Sequence, residues 1–527
     1  MSRKSPIPES SPAGPVCVRF APSPTGPLHI GGVRTALYNY LLAKKYQGRF
    51  ILRIEDTDQV RQVPGAEAYI QEALQWLGIV PDEGPHTAGP NAPYRQSDRK
   101  HIYPKYVDQL LAAGHAYYAF DTAEELEAMR AKLQAARVAA PKYNAVTRES
   151  MRNALTLPQE EVEALLQAGA PHVVRLKVPH QGVIRFYDHV RGWIQVQAAT
   201  LDDKVLVKSD GIPTYHLAHV IDDHVMGISH VIRGEEWLPS TPIHILLYQY
   251  LGIAQALPQF VHLPLLLNPQ GQGKLSKREV ETLGLPIFPL DWKDPITEAY
   301  MPGFREAGYL PEALLNFLAL LGWSPSGGQQ EIFSREELIS HFSIAHIHKA
   351  GVRLDIHKAR WFNQQHLKRK PQQERVAYLT AALQAHQLTY TPEQVAAVCE
   401  LIEDRVAFPQ DFWEQGKCFF QAPESYDLAI IHARGCPPVY ELLFAWIEVL
   451  RALPHFAPDA IHATLQNLLA DGGMRSSDVM PIVRVALTGT RSGPDLMQSM
   501  ALLGQAEVIQ RLSKGLAAFR QITQPAT

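Results

Sequence analysis

Residues 21–32 read APSPTGPLHIGG and hold the first group suited to phosphate chemistry. They separate a β-rich run at residues 16–21 from a helical pattern over residues 31–47. Ligands of doubly wound sheets bind at such strand-to-helix turns, beyond the carboxyl ends of the strands. Gly31 and Gly32 let a ligand approach the backbone, and the unpaired N–H groups and dipole of a helix start favour an anion. His29, just before them, is placed to donate a hydrogen bond to a phosphate. The spacing matches neither GxGxxG nor GxxxxGKS/T. A rigid Pro/Gly connection with a surface histidine is the plainer alternative. A second group, GQGKLSKR at residues 271–278, follows an apolar run that ends at Leu267. Its glycines, with Lys274, Lys277 and Arg278, suit a loop that closes over a triphosphate and meets the charge developing as pyrophosphate leaves. A solvated basic loop would look the same.

Two arginines interrupt apolar runs: Arg19 in residues 16–21 and Arg233 at the end of residues 229–233. Strands of a parallel sheet are covered on both faces, and a buried guanidinium is costly without a partner. A substrate with two carboxylates could satisfy both arginines bidentately. The chain's own acids are equally available: Glu55 or Asp56 for Arg19, and Glu235 or Asp222 for Arg233. Glu55, in RIEDTD, could hold a cationic amine or serve as a helix cap or ion-pair partner. Tyr215, in GIPTYHLAH, could donate its hydroxyl to a bound carboxylate or be a core tyrosine.

Residues 349–370 hold Lys349, Arg353, Lys358, Arg360, Lys368, Arg369 and Lys370 against the single acid Asp355, with Trp361 and Phe362 among them. Basic residues neutralise phosphates and aromatics stack on unpaired bases, so this is a candidate RNA surface. A solvated helix face with buried aromatics is the alternative.

The elements that must position these residues begin with strand, helix and strand at residues 16–21, 31–47 and 50–54. This βαβ unit implies a parallel sheet with a right-handed crossover. Gly48 is the stop signal for the helix. The pattern resumes with strands at 216–221 and 229–233, a helix at 242–250 and a strand at 260–267. Between the halves, residues 117–211 mix helices (123–137, 160–168) with short strands (173–178, 183–188, 193–197). They read as an α+β insertion splitting a doubly wound α/β domain formed by residues 16–116 and 212–268. Helical periodicity dominates after Pro311.

With 527 residues the chain exceeds one hydrophobic core. Its net charge of −3 means that any RNA surface must be local. The four cysteines form no CxxC pair, which fits a reducing compartment and argues against a structural zinc site. Residues 1–15 are polar, lack a signal-peptide apolar region and read as a disordered tail. No apolar run approaches the ~20 residues of a membrane span, so a cytoplasmic protein is expected.

Taken together, the motifs resemble those of class I aminoacyl-tRNA synthetases. His29-Ile30-Gly31-Gly32 is similar to the HIGH signature, with Gly for its last His. Lys274-Leu275-Ser276-Lys277-Arg278 is similar to KMSKS. The closer resemblance is to bacterial glutamyl-tRNA synthetases. It is carried by VRFAPSPTGPLHIGGVRTALYNYLLAKK, RFILRIEDTD, APYRQSDR, KSDGIPTYHLAHVIDDHVMGISHVIRGEEWLPSTPIH, GKLSKR and RLDIHKARWFN. It covers nearly everything from Val16 onward and weakens after about residue 370.

This resemblance implies a class I Rossmann domain, a connecting region over residues 269–370 and a helical anticodon-binding domain over 371–527. It implies that Arg19 binds the glutamate side-chain carboxylate, that Ser23 and Glu55 hold its amino group, and that Tyr215, His219 and Arg233 complete the pocket. His29, Gly31, Gly32, Glu236, Leu266 and the residues Lys274, Leu275, Ser276, Lys277 and Arg278 would contact ATP. His29, Lys274 and Lys277 would stabilise the transferring charge, with Mg²⁺ assisting. Lys349, Arg353, Lys358, Arg360 and Trp361 are the candidate tRNA contacts. The implied partners are L-glutamate and tRNA(Glu), with tRNA(Gln) left open, and the expected state is a monomer. His219 stands where many relatives have Asn, and Glu279-Val280 where some have Asp-Gly. Some relatives hold zinc in the insertion; no cysteine falls there, so no metal site is expected. A tRNA-modifying paralogue would lack the helical half, and a glutaminyl enzyme would end in β-barrels.

Overall fold

The computed structural model describes residues 14–268, 286–326 and 329–523. Most of the expected tail and the whole GKLSKR segment lie outside the described residues. The chain divides into two compact units, Met1–Ala307 with Pro311–Ala359, and Gly308–Leu310 with Arg360–Thr527.

In the first unit, β1 (Cys17–Phe20) and β2 (Arg49–Leu52) pair in parallel, with Arg19 opposite Ile51. Helix α1 (Ile30–Lys45) crosses between them and buries Val33, Ala36, Leu37, Tyr40 and Leu41, the residues at helical spacing. Lys44 and Lys45 occupy its last turn, where they complement the dipole. Gly48 does not end the helix as a left-handed cap. Gln47 takes the positive φ of 52°, and a Cβ at Gly48 would lie 2.2 Å from the Val16 carbonyl oxygen. Glycine is needed there because the chain passes close to β1.

The expected insertion contributes α2 (Ala123–Ala135) and α3 (Gln159–Gln167). Strands β3 (Ala116–Ala119), β4 (Val173–Leu176) and β7 (Val205–Val207) form a separate antiparallel sheet in the order β3-β4-β7. The hairpin β5 (Val183–Asp188) and β6 (Gly192–Gln197) belongs elsewhere. It joins β8 (His230–Gly234) and β9 (Gln259–Leu263) in the order β6-β5-β9-β8, with β9 parallel to both β5 and β8. Ser229, just before β8, donates its N–H to the Cys17 carbonyl at 2.8 Å, bringing β8 beside β1.

Two expected strands are corrected. Residues 216–221 lie in a helix, α4 (Tyr215–Val225), rather than a strand. Its Leu217, Ala218, Val220 and Ile221 are buried, and so are His219, Asp222 and Asp223. A helix enclosed on all sides loses the one-sided stripe that marks it in sequence. The strand expected over 260–267 breaks at Pro264, which supplies no N–H to a ladder. Beyond it, β10 (Leu266–Leu267) pairs in parallel with β11 (Val352–Arg353). Helix α5 (Thr241–Tyr250) matches its expected span.

The second unit is helical among its described residues. Helices Pro437–Arg451, Pro458–Gly472, Ser476–Thr488 and Gln505–Thr523 enclose Leu443, Trp446, Leu465, Ile482, Leu512 and Phe519. No helix of the described residues is long and apolar enough to cross a membrane.

Candidate active site

A pocket of about 400 Å³ opens at the carboxyl ends of β1 and β8. Among its lining residues are Arg19, Ser23, Glu55, Tyr215, His219 and Arg233, and also His29, Gly31, Gly32, Glu236 and Leu266. Every glutamate- or ATP-assigned residue among those described therefore faces one cavity. Lys274, Leu275, Ser276, Lys277 and Arg278 lie outside the described residues.

Three guanidiniums are buried behind this surface. Arg19 directs Nε to Asp223 Oδ1 at 3.0 Å and Nη2 to His219 Nε2 at 3.1 Å. Its Nη1 makes no hydrogen bond with a described residue. Arg53, fully enclosed, bridges Asp223 at 2.8 Å and Glu55 Oε1 at 2.7 Å. Arg233 donates Nε to His262 Nε2 at 3.0 Å, Nη1 to the Tyr215 hydroxyl oxygen at 2.8 Å and Nη2 to Thr241 Oγ1 at 2.9 Å. No carboxylate of a described residue forms an ion pair with Arg233.

The internal partners suggested from sequence are thus corrected. The acid beside Arg19 is Asp223, not Glu55 or Asp56. Asp56 instead accepts from the Ser97 N–H at 2.8 Å and hydroxyl at 2.6 Å. Glu235 pairs with Arg191, and Asp222 pairs with Arg99 at 2.8 Å, so neither serves Arg233. Asp223 and Arg53 are the site-forming residues that sequence reasoning missed. Tyr215, His219 and Asp223 follow at intervals of four on α4 and share one face, a relation hidden by the strand reading. The signal present in the sequence was the acidic pair Asp222-Asp223 inside an apolar stretch.

Arg19, Arg53 and Arg233 face the carboxylates Glu55 and Asp223. Burial acts to raise the Glu55 carboxyl, but His219 and Arg53 outweigh it and hold it at about 2. Burial lowers His219 below its ordinary 6.5 despite Asp223 and Glu55, so the ring is neutral at pH 7. Its Nδ1 lies 3.1 Å from Glu55 Oε1, and Nε2 faces Arg19 and Arg233 and lies 3.2 Å from Asp223 Oδ2. The Nδ1–H tautomer fits the contacts with Glu55 and the arginines, donating to the acid and accepting from the guanidiniums. Burial pushes the Tyr215 hydroxyl up to about 12 and keeps it protonated. The pocket is also lined by Arg34, buried and donating to the Leu321 and Pro264 carbonyls, and by Arg61 and Glu236.

At the start of α1, His29 is the N-cap, and its Nδ1 accepts from the Gly31 N–H at 3.0 Å. The neutral ring then carries its proton on Nε2. The helix start is less open than expected from sequence. Ile30 N–H donates to the Ile287 carbonyl at 2.9 Å, and Gly32 and Val33 N–H to the His29 carbonyl at 2.8 and 3.0 Å. The dipole remains, but these amides are engaged. A Cβ at Gly32 would meet Leu28 Cδ1 at 2.6 Å, so glycine there serves packing of the turn.

The basic stretch is less bare than its sequence. Lys358 pairs with Glu331, Lys368 with Asp404 and Lys370 with Glu374, while Arg360 lies 3.7 Å from Asp411 and over the Phe408 ring. Lys349 and Arg353 are exposed and make no ion pair with a described residue. Trp361 is 37% exposed, whereas Phe362 is buried. Lys349, Arg353 and Lys358 belong to the first unit, and Arg360 and Trp361 to the second.

Known proteins match along nearly the whole chain. Residues 15–361 match the family described as tRNA synthetases class I (E and Q), catalytic domain. Residues 374–516 match the one described as anticodon binding domain. A glutamate–tRNA ligase of Amoebophilus asiaticus is 60% identical over 95% of this chain and 98% of its own length. That of Cytophaga hutchinsonii is 52% identical over 96% of this chain and 98% of its own. A crystal structure of a glutamate tRNA ligase from Elizabethkingia meningosepticum, in complex with its amino acid, has a TM-score of 0.89 at 46% identity. It covers 96% of this chain and 100% of the other.

Proposed function

Since the chain belongs to the class I tRNA synthetases for glutamate and glutamine, we propose that it is a glutamate–tRNA ligase, joining L-glutamate to tRNA(Glu) with ATP. The observation that carries this reading is the charge of the pocket. Arg19 and Arg233 both line the cavity, Arg233 with no ion pair to a described carboxylate, and Glu55 lines it beside them; a glutamate, with two carboxylates and one ammonium, matches that arrangement.

Arg19, through Nη1, takes the side-chain carboxylate. Arg233 and the Tyr215 hydroxyl face the other carboxylate, and His219 holds the two arginines in register. Glu55 Oε2, which accepts no hydrogen bond from a described residue, receives the ammonium with Ser23. Glutamine would bring no charge to Arg19. Charge-assisted bonds of this kind are worth ~1.5–3 kcal/mol, enough to discriminate.

In the first step a carboxylate oxygen of glutamate attacks the α-phosphorus of ATP. The bond to the bridging oxygen of the β-phosphate breaks, giving glutamyl-adenylate and pyrophosphate. The chain supplies position and charge rather than a nucleophile. His29 Nε2–H, the start of α1, Glu236 and Leu266 hold the nucleotide, and Lys274, Leu275, Ser276, Lys277 and Arg278 are assigned to ATP with them. No group of three or more His, Cys, Asp or Glu among the described residues is arranged for a metal. Mg²⁺ arriving with ATP would add positive charge at the phosphates. In the second step the terminal ribose hydroxyl of tRNA attacks the activated carbonyl and AMP leaves. Residues 117–211 hold the acceptor end in this reading, and Lys349, Arg353, Lys358, Arg360 and Trp361 contact the tRNA. A monomer in the cytoplasm completes it.

The test is glutamate-dependent exchange of pyrophosphate into ATP, with and without tRNA, and ester formation on purified tRNA(Glu) and tRNA(Gln). Activity on tRNA(Glu) is expected, and the tRNA(Gln) arm decides the range. No exchange and no ester with tRNA(Glu) present would overturn the reading.

A further inference from the structure

Arg233 presents a physical problem. It is 6% exposed, burial lowers its pKa, and no described carboxylate pairs with it. A guanidinium so placed should be costly. The compensation lies one residue behind it. Asp188, the last residue of β5, sits 2.6 Å by Oδ2 from His262 Nδ1, and His262 Nε2 accepts from Arg233 Nε at 3.0 Å. Both Asp188 and His262 are fully enclosed, and neither lines the pocket.

The hydrogen bonds leave one assignment of protons. Asp188 Oδ2 also accepts from the His262 backbone N–H at 3.1 Å, and Oδ1 from the N–H groups of Val190 and Arg191 at 2.9 and 2.8 Å. Three backbone N–H groups converge on this carboxylate and favour its ionised form. An ionised acceptor at Nδ1 fixes that nitrogen as the protonated one and leaves Nε2 with its lone pair. Burial lowers His262 to about 4, so the ring stays neutral. The lone pair meets the single N–H of Arg233 Nε. Holding that N–H fixes the guanidinium plane and turns Nη1 toward Tyr215 and Nη2 toward Thr241.

We propose that Asp188 and His262 are positioning residues for Arg233: the carboxylate, acting through the imidazole, compensates and aims the guanidinium without pairing with its Nη groups. A carboxylate bound directly to Nη1 and Nη2 would occupy the face that substrate needs. One imidazole removed, it offsets the burial cost and leaves that face for glutamate. The register makes the point of contact specific, since Asp188 is the β5 residue paired with β9, opposite Phe260. The stretch expected as an insertion thus supplies, at this residue, a support behind Arg233.

The inference rests on Arg233 binding glutamate, and the test separates the two. In the full chain with tRNA(Glu), Asp188→Asn and His262→Leu are expected to raise the KM for glutamate by roughly tenfold or more, leaving the KM for ATP within about twofold. His262→Gln, whose amide oxygen can accept from Arg233 Nε, should recover most of the loss. A purely structural strut between β5 and β9 would raise both constants together, or leave Gln as impaired as Leu, and either result overturns the proposal. Should the variants fail to fold, nitrogen NMR of histidine-labelled wild-type protein still decides. The His262 imidazole, assigned by its resonance, should be protonated at Nδ1 and bare at Nε2 down to pH 5; an Nε2–H tautomer at His262 overturns the proposal. Wild-type protein that activates no glutamate would refute the functional reading and leave the tautomer result standing.

Discussion

The two units bury different material. The first encloses Arg19, Arg34, Arg53, Glu55, Asp188, Asp222, Asp223 and Arg233, among other charged groups. In the second, Arg511 is the single buried arginine, aspartate or glutamate among the described residues. The helical unit is held by apolar contacts around Trp446, Leu465 and Phe519. Buried ion pairs contribute little net stability, because desolvation consumes most of their attraction. Some, such as Arg99–Asp222 and Arg148–Asp203, lie away from the pocket, but those of Arg19 and Arg53 preorganise charge beside it, whereas the second unit packs apolar side chains.

This contrast can be broken by substitution. The largest effect should come from Arg19→Ala. Losing the guanidinium that meets the substrate carboxylate is expected to reduce glutamate-dependent pyrophosphate exchange about 10³-fold, or about 4 kcal/mol. Asp223 keeps Arg53 as its partner, so the variant should still melt cooperatively; near wild-type exchange would sink the pocket assignment. Asp223→Asn should act on folding as well, costing about 3–5 kcal/mol in urea unfolding, because Arg19 and Arg53 lose a shared anion. Leu465→Ala in the second unit should cost about 2–5 kcal/mol with no loss of exchange per folded molecule. If it impaired glutamate activation as Arg19→Ala does, the division of labour would be wrong.

Acid should separate the units more gently. His216, His230 and His262 sit at about 4 in the folded protein against an ordinary 6.5, in each case through burial first. The unfolded chain therefore binds more protons between these values. Stability present above 6.5 is lost as pH falls toward 4. Glu55, held at about 2 against 4.5, adds a further loss below 4.5. All described histidines with lowered values belong to the first unit. Hydrogen exchange at pH 7 and 5, corrected for intrinsic rates, should show protection falling first there; equal loss in both units would contradict this. The smallest effect is expected from Lys368→Ala, which removes a solvent-exposed pair with Asp404 and should change stability by at most about 1 kcal/mol.

The turn that carries His29 was readable from local pattern. A strand, a Pro/Gly turn and an amphipathic helix placed His29, Gly31 and Gly32 at the mouth of the pocket, and α1 ends within two residues of its expected limit. The amide pairings at the helix start were not readable, since Ile30 is bound by Ile287, far along the chain. Reading residues 216–221 as a strand concealed the shared face of Tyr215, His219 and Asp223, and with it the acid beside Arg19.

What the chain determined by itself was the inventory: two arginines in apolar strands, an acid after the second strand, a histidine before paired glycines, and a helical C-terminal half. These follow from residue type and short-range periodicity, which operate over a few turns or one strand. Only tertiary structure decided which acid answers which arginine. Asp223 reaches Arg19 across 204 positions and Asp188 reaches His262 across 74. The strength of an ion pair depends on distance and enclosure, and neither is written in the spacing of residues along the chain.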